Sequence, residues 1–221
     1  DLHSADTNLL DYLIRQYNET NENELAVINL DKAYFDIEVD TIEYDGFPDA
    51  DVAPCPINFI SYVNKSDKQL CLYILLNDDN KSMMDFIEKH NGDCTNHWHE
   101  GNNKWCQDAL VEYFTDPKKP ENTLEHVSIY WFKNELNLIK KFYDRVHNDR
   151  SDFLGGWNTY FDVKTIETRL TQMGVDPKSV MCPPEFKTKK VNIREDNFSG
   201  DLADKSDTLD IAGWGHTVDL R

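Results

Sequence analysis

The chain predicts an α/β domain with a mixed sheet flanked by helices, and three observations carry that expectation. The run Tyr34-Phe35-Asp36-Ile37-Glu38-Val39 is rich in β-formers and reads as a buried strand. Two further strand-like runs, residues 57–63 and 69–76, are joined by the turn-forming Asn64-Lys65-Ser66-Asp67 and read as an antiparallel pair. Beyond them the order is strand, helix, strand, helix over residues 126–173, which requires a parallel crossover. Antiparallel and parallel pairing in one domain means a mixed sheet.

The elements follow in order. Residues 5–17 read as an amphipathic helix, with Leu9, Leu10, Leu13 and Tyr17 on one face, before a polar break at Asn18–Asn23. Residues 25–30 read as a short strand, and residues 32–40 as the acid-bearing strand. Asp45-Gly46-Phe47-Pro48-Asp49 is turn chemistry. After the strand pair, residues 81–90 and 106–114 read as short helices. Residues 126–131 are a strand and 133–147 a helix, with Leu136, Ile139, Lys140 and Tyr143 spaced for one face. Residues 152–156 read as a short strand and 162–173 as a helix. Residues 187–193 and 209–221 read as strands flanking the polar segment 194–206.

Composition narrows the class. An apolar fraction of 39% supports a core in 221 residues, enough for one sizeable domain with appended pieces. No apolar stretch approaches the length of a membrane span, so no membrane partner is expected. The polar start, Asp1-Leu2-His3-Ser4, is neither a signal peptide nor an initiator Met and reads as the start of a fragment. Five cysteines, an odd number without framework spacing, favour reduced thiols and a cytoplasmic setting. A formal charge of −18 argues against a general nucleic-acid clamp.

The chemistry sits in the acids. Side chains alternate along a strand, so Asp36 and Glu38 point the same way. Two adjacent carboxylates inside a core are costly unless something neutralises them, and a hard divalent cation with oxygen ligands does so. Far downstream, Gly156-Trp157-Asn158-Thr159-Tyr160-Phe161-Asp162 supplies a third carboxylate where a strand turns into a helix. Asp162 at a helix start also fits a plain cap, and both readings stay open on the residues alone.

Asp36-Ile37-Glu38 resembles the first exonuclease motif of family B DNA polymerases, and Asn158-Thr159-Tyr160-Phe161-Asp162 resembles the second. The flanks agree: Phe47-Pro48-Asp49 resembles the polymerases of tailed phages, Phe132-Lys133-Asn134-Glu135 opens a helix before the second motif, and Val163, Ile166 and Arg169 continue the helix after it. The resemblance covers roughly residues 30–221. It implies a ribonuclease-H-like fold and proofreading 3′→5′ hydrolysis of the terminal phosphodiester of single-stranded DNA. It also implies a two-metal site of Mg²⁺ or Mn²⁺ on Asp36, Glu38 and Asp162, with Phe161 packing on the terminal base or on the core and Asn158 touching the substrate strand or fixing the loop. Residues 1–30 become the remnant of an N-terminal domain or linker, and residues 31–221 the exonuclease domain.

The family's further motif, Tyr-x-x-x-Asp, has no match here. The segment 211–220 resembles the strand preceding it, so the chain reads as stopping short of the fourth acid, with Asp219 not its substitute. Catalysis would then need the rest of the polymerase, in cis or as the other half of a split protein. Two rivals follow: a non-catalytic structural or partner-binding module of the same fold, and an RNA exonuclease of the wider acidic-residue superfamily. Two other clusters have double readings. Cys94, His97, His99 and Cys106 form either a zinc set or, with Trp98 and Trp105, a small apolar cluster. Lys187-Thr188-Lys189-Lys190 is either a lysine-guarded strand edge or a hairpin near the primer–template junction.

Overall fold

The structure, a computed structural model, describes residues 30–76, 98–100, 111–113, 118, 123–195 and 208–219. The compact unit Asp31–Arg221 contains a seven-stranded mixed sheet. Its strands are β1 (Lys32–Val39), β2 (Ile57–Asn64), β3 (Gln69–Leu75), β4 (Trp98–Glu100), β5 (His126–Phe132), β6 (Phe153–Gly156) and β9 (His216–Asp219). Across the sheet the order is β4-β5-β3-β2-β1-β6-β9. β1, β2 and β3 pair antiparallel, whereas β3–β5, β1–β6 and β6–β9 pair parallel. This is the expected ribonuclease-H-like arrangement. A separate two-stranded ribbon pairs β7 (Val191–Arg194) with β8 (Thr208–Ile211).

Three helices are described: α1 (Glu135–Asp149), α2 (Thr159–Gln172) and α3 (Pro177–Met181). Asn134 caps α1 by accepting from the Asn137 backbone N–H at 3.1 Å. The buried face of α1 is Glu135, Leu138, Ile139, Phe142, Tyr143 and Val146. Leu136 and Lys140, expected on that face, are half-buried and exposed. Phe142 centres the core, its ring 5.4 Å from Phe35 and 6.0 Å from both Tyr62 and Tyr73. Val163, Ile166 and Leu170 of α2 join the same core. A smaller cluster of Leu76, Val127, Ile129 and Trp131 is separate from it, because alternation along β5 gives each face its own apolar residues.

Three expectations need correction. Helix α2 begins at Thr159 rather than at Asp162, since Asn158 takes the cap position. The expected strand over 209–221 is broken at Gly213, whose φ of +88° suits glycine. β8 therefore stays in the ribbon while β9 crosses to the main sheet. Helix α3 went unpredicted; Asp176 caps it and Pro177 stands in its first turn. The expected helices at 5–17 and 81–90, and most of that at 106–114, lie outside the described residues. So does the zinc set, apart from the backbone of His99 in β4. Among the described residues no helix is long and apolar enough to cross a membrane.

Candidate active site

The site starts from alternation along β1, an interior strand of the sheet. Ala33, Phe35 and Ile37 are buried, and Asp36 and Glu38 project from the other face of β1 into solvent. The strand is thus buried on one face only, and the acid pair stands at the surface rather than in the core. The β1–β2 register shifts between Glu38 and Val39, and such bulges re-aim side chains at functional sites. Neither carboxylate has a hydrogen bond or ion pair among the described residues. Solvent reaches Asp36, yet protein crowds its carboxyl closely enough that lost hydration raises its pKa above the usual value.

Asp162 is the fourth residue of α2 and only 2% exposed. Its backbone N–H donates to the Asn158 carbonyl at 3.1 Å, so Asp162 lies inside the first turn and is not the cap. Gly156 of β6 lies against it. A Cβ on Gly156 would lie 2.6 Å from the Phe35 carbonyl oxygen and 3.4 Å from Asp162 Oδ2. The structure therefore brings Asp162 to the β1–β6 seam beside Phe35, the neighbour of Asp36. It does not join the three acids into one ligand cluster: among the described residues, no three His, Cys, Asp or Glu side chains form a group that could hold a metal ion. The donor types still suit a hard cation. Asp36 and Glu38 offer carboxylate oxygens that no cation of the described residues neutralises.

Asn158 is the N-cap by position, yet its side chain makes no capping bond, and its buried Oδ1 has no hydrogen-bond partner among the described residues. Thr159 Oγ1 donates instead to the Gly156 carbonyl at 3.2 Å, tying the helix start to β6. Phe161 packs partly on the core and partly against Phe47, ring centroids 4.9 Å apart. Phe47 is itself 77% exposed, and Trp157, next to Asn158, is 70% exposed. In the sequence Phe47 reads as turn chemistry and as a flank of the first motif, not as a group that faces substrate. Its hint was a large apolar residue in a polar turn, where no core position accounts for it.

The remaining predicted groups lie elsewhere. Lys187–Lys190 lead into β7, and Lys190 pairs with Asp210 across the ribbon. Asp219 sits in β9, its backbone in register with Gly156 at the seam.

Residues 9–217 match the family model described as DNA polymerase family B, exonuclease domain. No curated protein matches the chain.

Proposed function

We propose, on the premise that this chain belongs to the exonuclease domains of family B DNA polymerases, that it removes nucleotides from the 3′ end of single-stranded DNA. The observation that carries the reading is the pair Asp36 and Glu38: two acids on one face of β1, without partners among the described residues, on the strand paired with β6, whose Gly156 lies against Asp162. Asp36, Glu38 and Asp162 would hold Mg²⁺ or Mn²⁺. Bound there, the cations would supply an activated water and charge stabilisation for the leaving 3′ oxygen. The chain's own residues do the rest. Phe47, backed by Phe161, offers an aromatic face for the terminal base. Asn158, at the start of α2, would fix the loop or touch the substrate strand. The flanking Phe47-Pro48-Asp49 supports a polymerase of the tailed-phage type, working in the host cytoplasm with the remaining polymerase domains.

The absence of a three-ligand cluster among the described residues favours a second reading, a non-catalytic module of the same fold. Cleavage of 5′-labelled single-stranded DNA in Mn²⁺ separates the two. Slow shortening from the 3′ end is expected, and Asp162→Ala and Asp36→Ala should each abolish it. Calorimetry should show cation binding that Asp36→Ala removes. No cleavage, with cation binding equal in both proteins, selects the module; preferential cleavage of RNA selects an RNA exonuclease.

A further inference from the structure

The connection from β1 to β2, residues 40–56, runs along helix α2 and is fastened to it at several points. Near the start of α2 the fastening is aromatic, Phe47 on Phe161. Further along, Lys164 pairs with Asp51 at 3.4 Å, and Gln172 Nε2 donates to the Val52 carbonyl at 2.6 Å. Arg169 Nη1 donates to the Ala53 carbonyl at 3.3 Å. Arg169 is itself gripped by Glu135 of α1 through two bonds, Nε to Oε1 at 2.8 Å and Nη2 to Oε2 at 2.5 Å. Glu135 Oε1 also accepts the Ile57 backbone N–H at 2.9 Å, where the connection enters β2. One bidentate ion pair thus touches both helices and the end of the connection.

A two-point guanidinium–carboxylate fork fixes direction as well as distance, which a single lysine contact does not. The fork lies on the core side of the connection, and Phe47 is carried on the same segment. We propose that Glu135 and Arg169 are positioning residues: they clamp the β1–β2 connection onto α2 and so set where Phe47 stands over Phe161 to receive the 3′-terminal base. The inference rests on the function proposed above, since it needs a base to be received.

The test uses the whole chain and oligonucleotides carrying 2-aminopurine at the 3′-terminal position or several positions upstream. Stacking on Phe47 should quench the terminal probe on binding. Phe47→Ala should weaken binding about tenfold and remove that quench. Arg169→Ala should reproduce most of both effects at the terminal position, leave the upstream probe alone, and add nothing when combined with Phe47→Ala. Arg169→Lys should restore the quench only in part. If Arg169→Ala does not fold, Gln172→Ala removes one fastening from an exposed position and enters the same cycle. Additive effects of the two substitutions, or wild-type affinity and quench in Arg169→Ala and Gln172→Ala, overturn the positioning role. A wild-type chain that binds neither probe sinks the function itself, and the positioning role with it. That outcome is told apart by the unsubstituted protein.

Discussion

The two ends of β1 both carry carboxylates, and they treat them in opposite ways. At the amino end, the Asp31 carboxylate accepts from Ser66, from Asn64 Nδ2 at 3.2 Å and from Ser151 at 3.1 Å. Nearby, Asp149 accepts from Tyr62 at 2.8 Å, Arg145 at 2.9 Å and Asn64 at 3.2 Å. At the carboxyl end, Asp36 and Glu38 accept nothing among the described residues. The electrostatics differ accordingly. Partial burial works against the Asp31 charge, but donors from Ser66, Asn64, Ser151 and the Lys32 backbone outweigh it and lower the pKa. For Asp36 burial acts alone and raises it. Saturated acids hold the fold together; acids with bare oxygens are available to a ligand.

The sharpest way to break this comparison is to neutralise one acid at each end. Asp36→Asn should lower the cleavage rate by at least about 100-fold, since a cation ligand supplies several kcal/mol of transition-state stabilisation. Asp31→Asn should leave the rate per folded molecule unchanged. Steady-state cleavage, corrected for the folded fraction, checks both. Next in size, Asn64→Leu strips donors from Asp31 and Asp149 and should cost about 2–3 kcal/mol in a urea melt, with the Asp36–Glu38 end untouched. Gly156→Ala forces a methyl against the Phe35 carbonyl and should cost about 1–3 kcal/mol.

The smallest effect is in pH. A raised folded pKa means that ionising Asp36 opposes folding, so its contribution is best below the unfolded value of 3.8 and declines as pH rises through the folded one. Asp36→Asn should therefore raise Tm at pH 7 and leave it unchanged at pH 3. Asp31 has the reverse sign: its stabilisation is present above 3.8 and is lost as pH falls through its lowered value. Asp31→Asn should lower Tm at pH 7, with the deficit closing in acid. Scanning calorimetry at the two pH values decides both.

The elements with strong local patterns were readable in the sequence. β2 and β3 announced themselves as apolar runs about a turn, and the two acids of β1 as neighbours on one face. What escaped depends on contacts distant in the chain. Nothing local says that Asn158 takes the cap and moves Asp162 into the first turn, because Asp is also a good cap. The split between β8 and β9 turns on one backbone angle at Gly213. The Glu135–Arg169 fork joins residues 34 apart, each of which reads alone as an ordinary surface charge. Asp36 and Glu38 were read as core acids because an apolar run hides which of its faces is covered.

The β1–β6 pairing also dictates when in folding the site comes into being. Lys32 and Phe153, partners in register, are separated by the span that the Asp31–Asp152 bond closes, 121 residues. β2 finds β3 through the short turn between Asn64 and Gln69, on a time scale of about microseconds for a hairpin, and β1 joins them across the connection 40–56. The seam with β6 needs a long chain closure and waits on the rest of the domain. A partly folded chain, or one still leaving the ribosome, thus carries Asp36 and Glu38 without Asp162. On the proposed function, nuclease activity would wait for that closure.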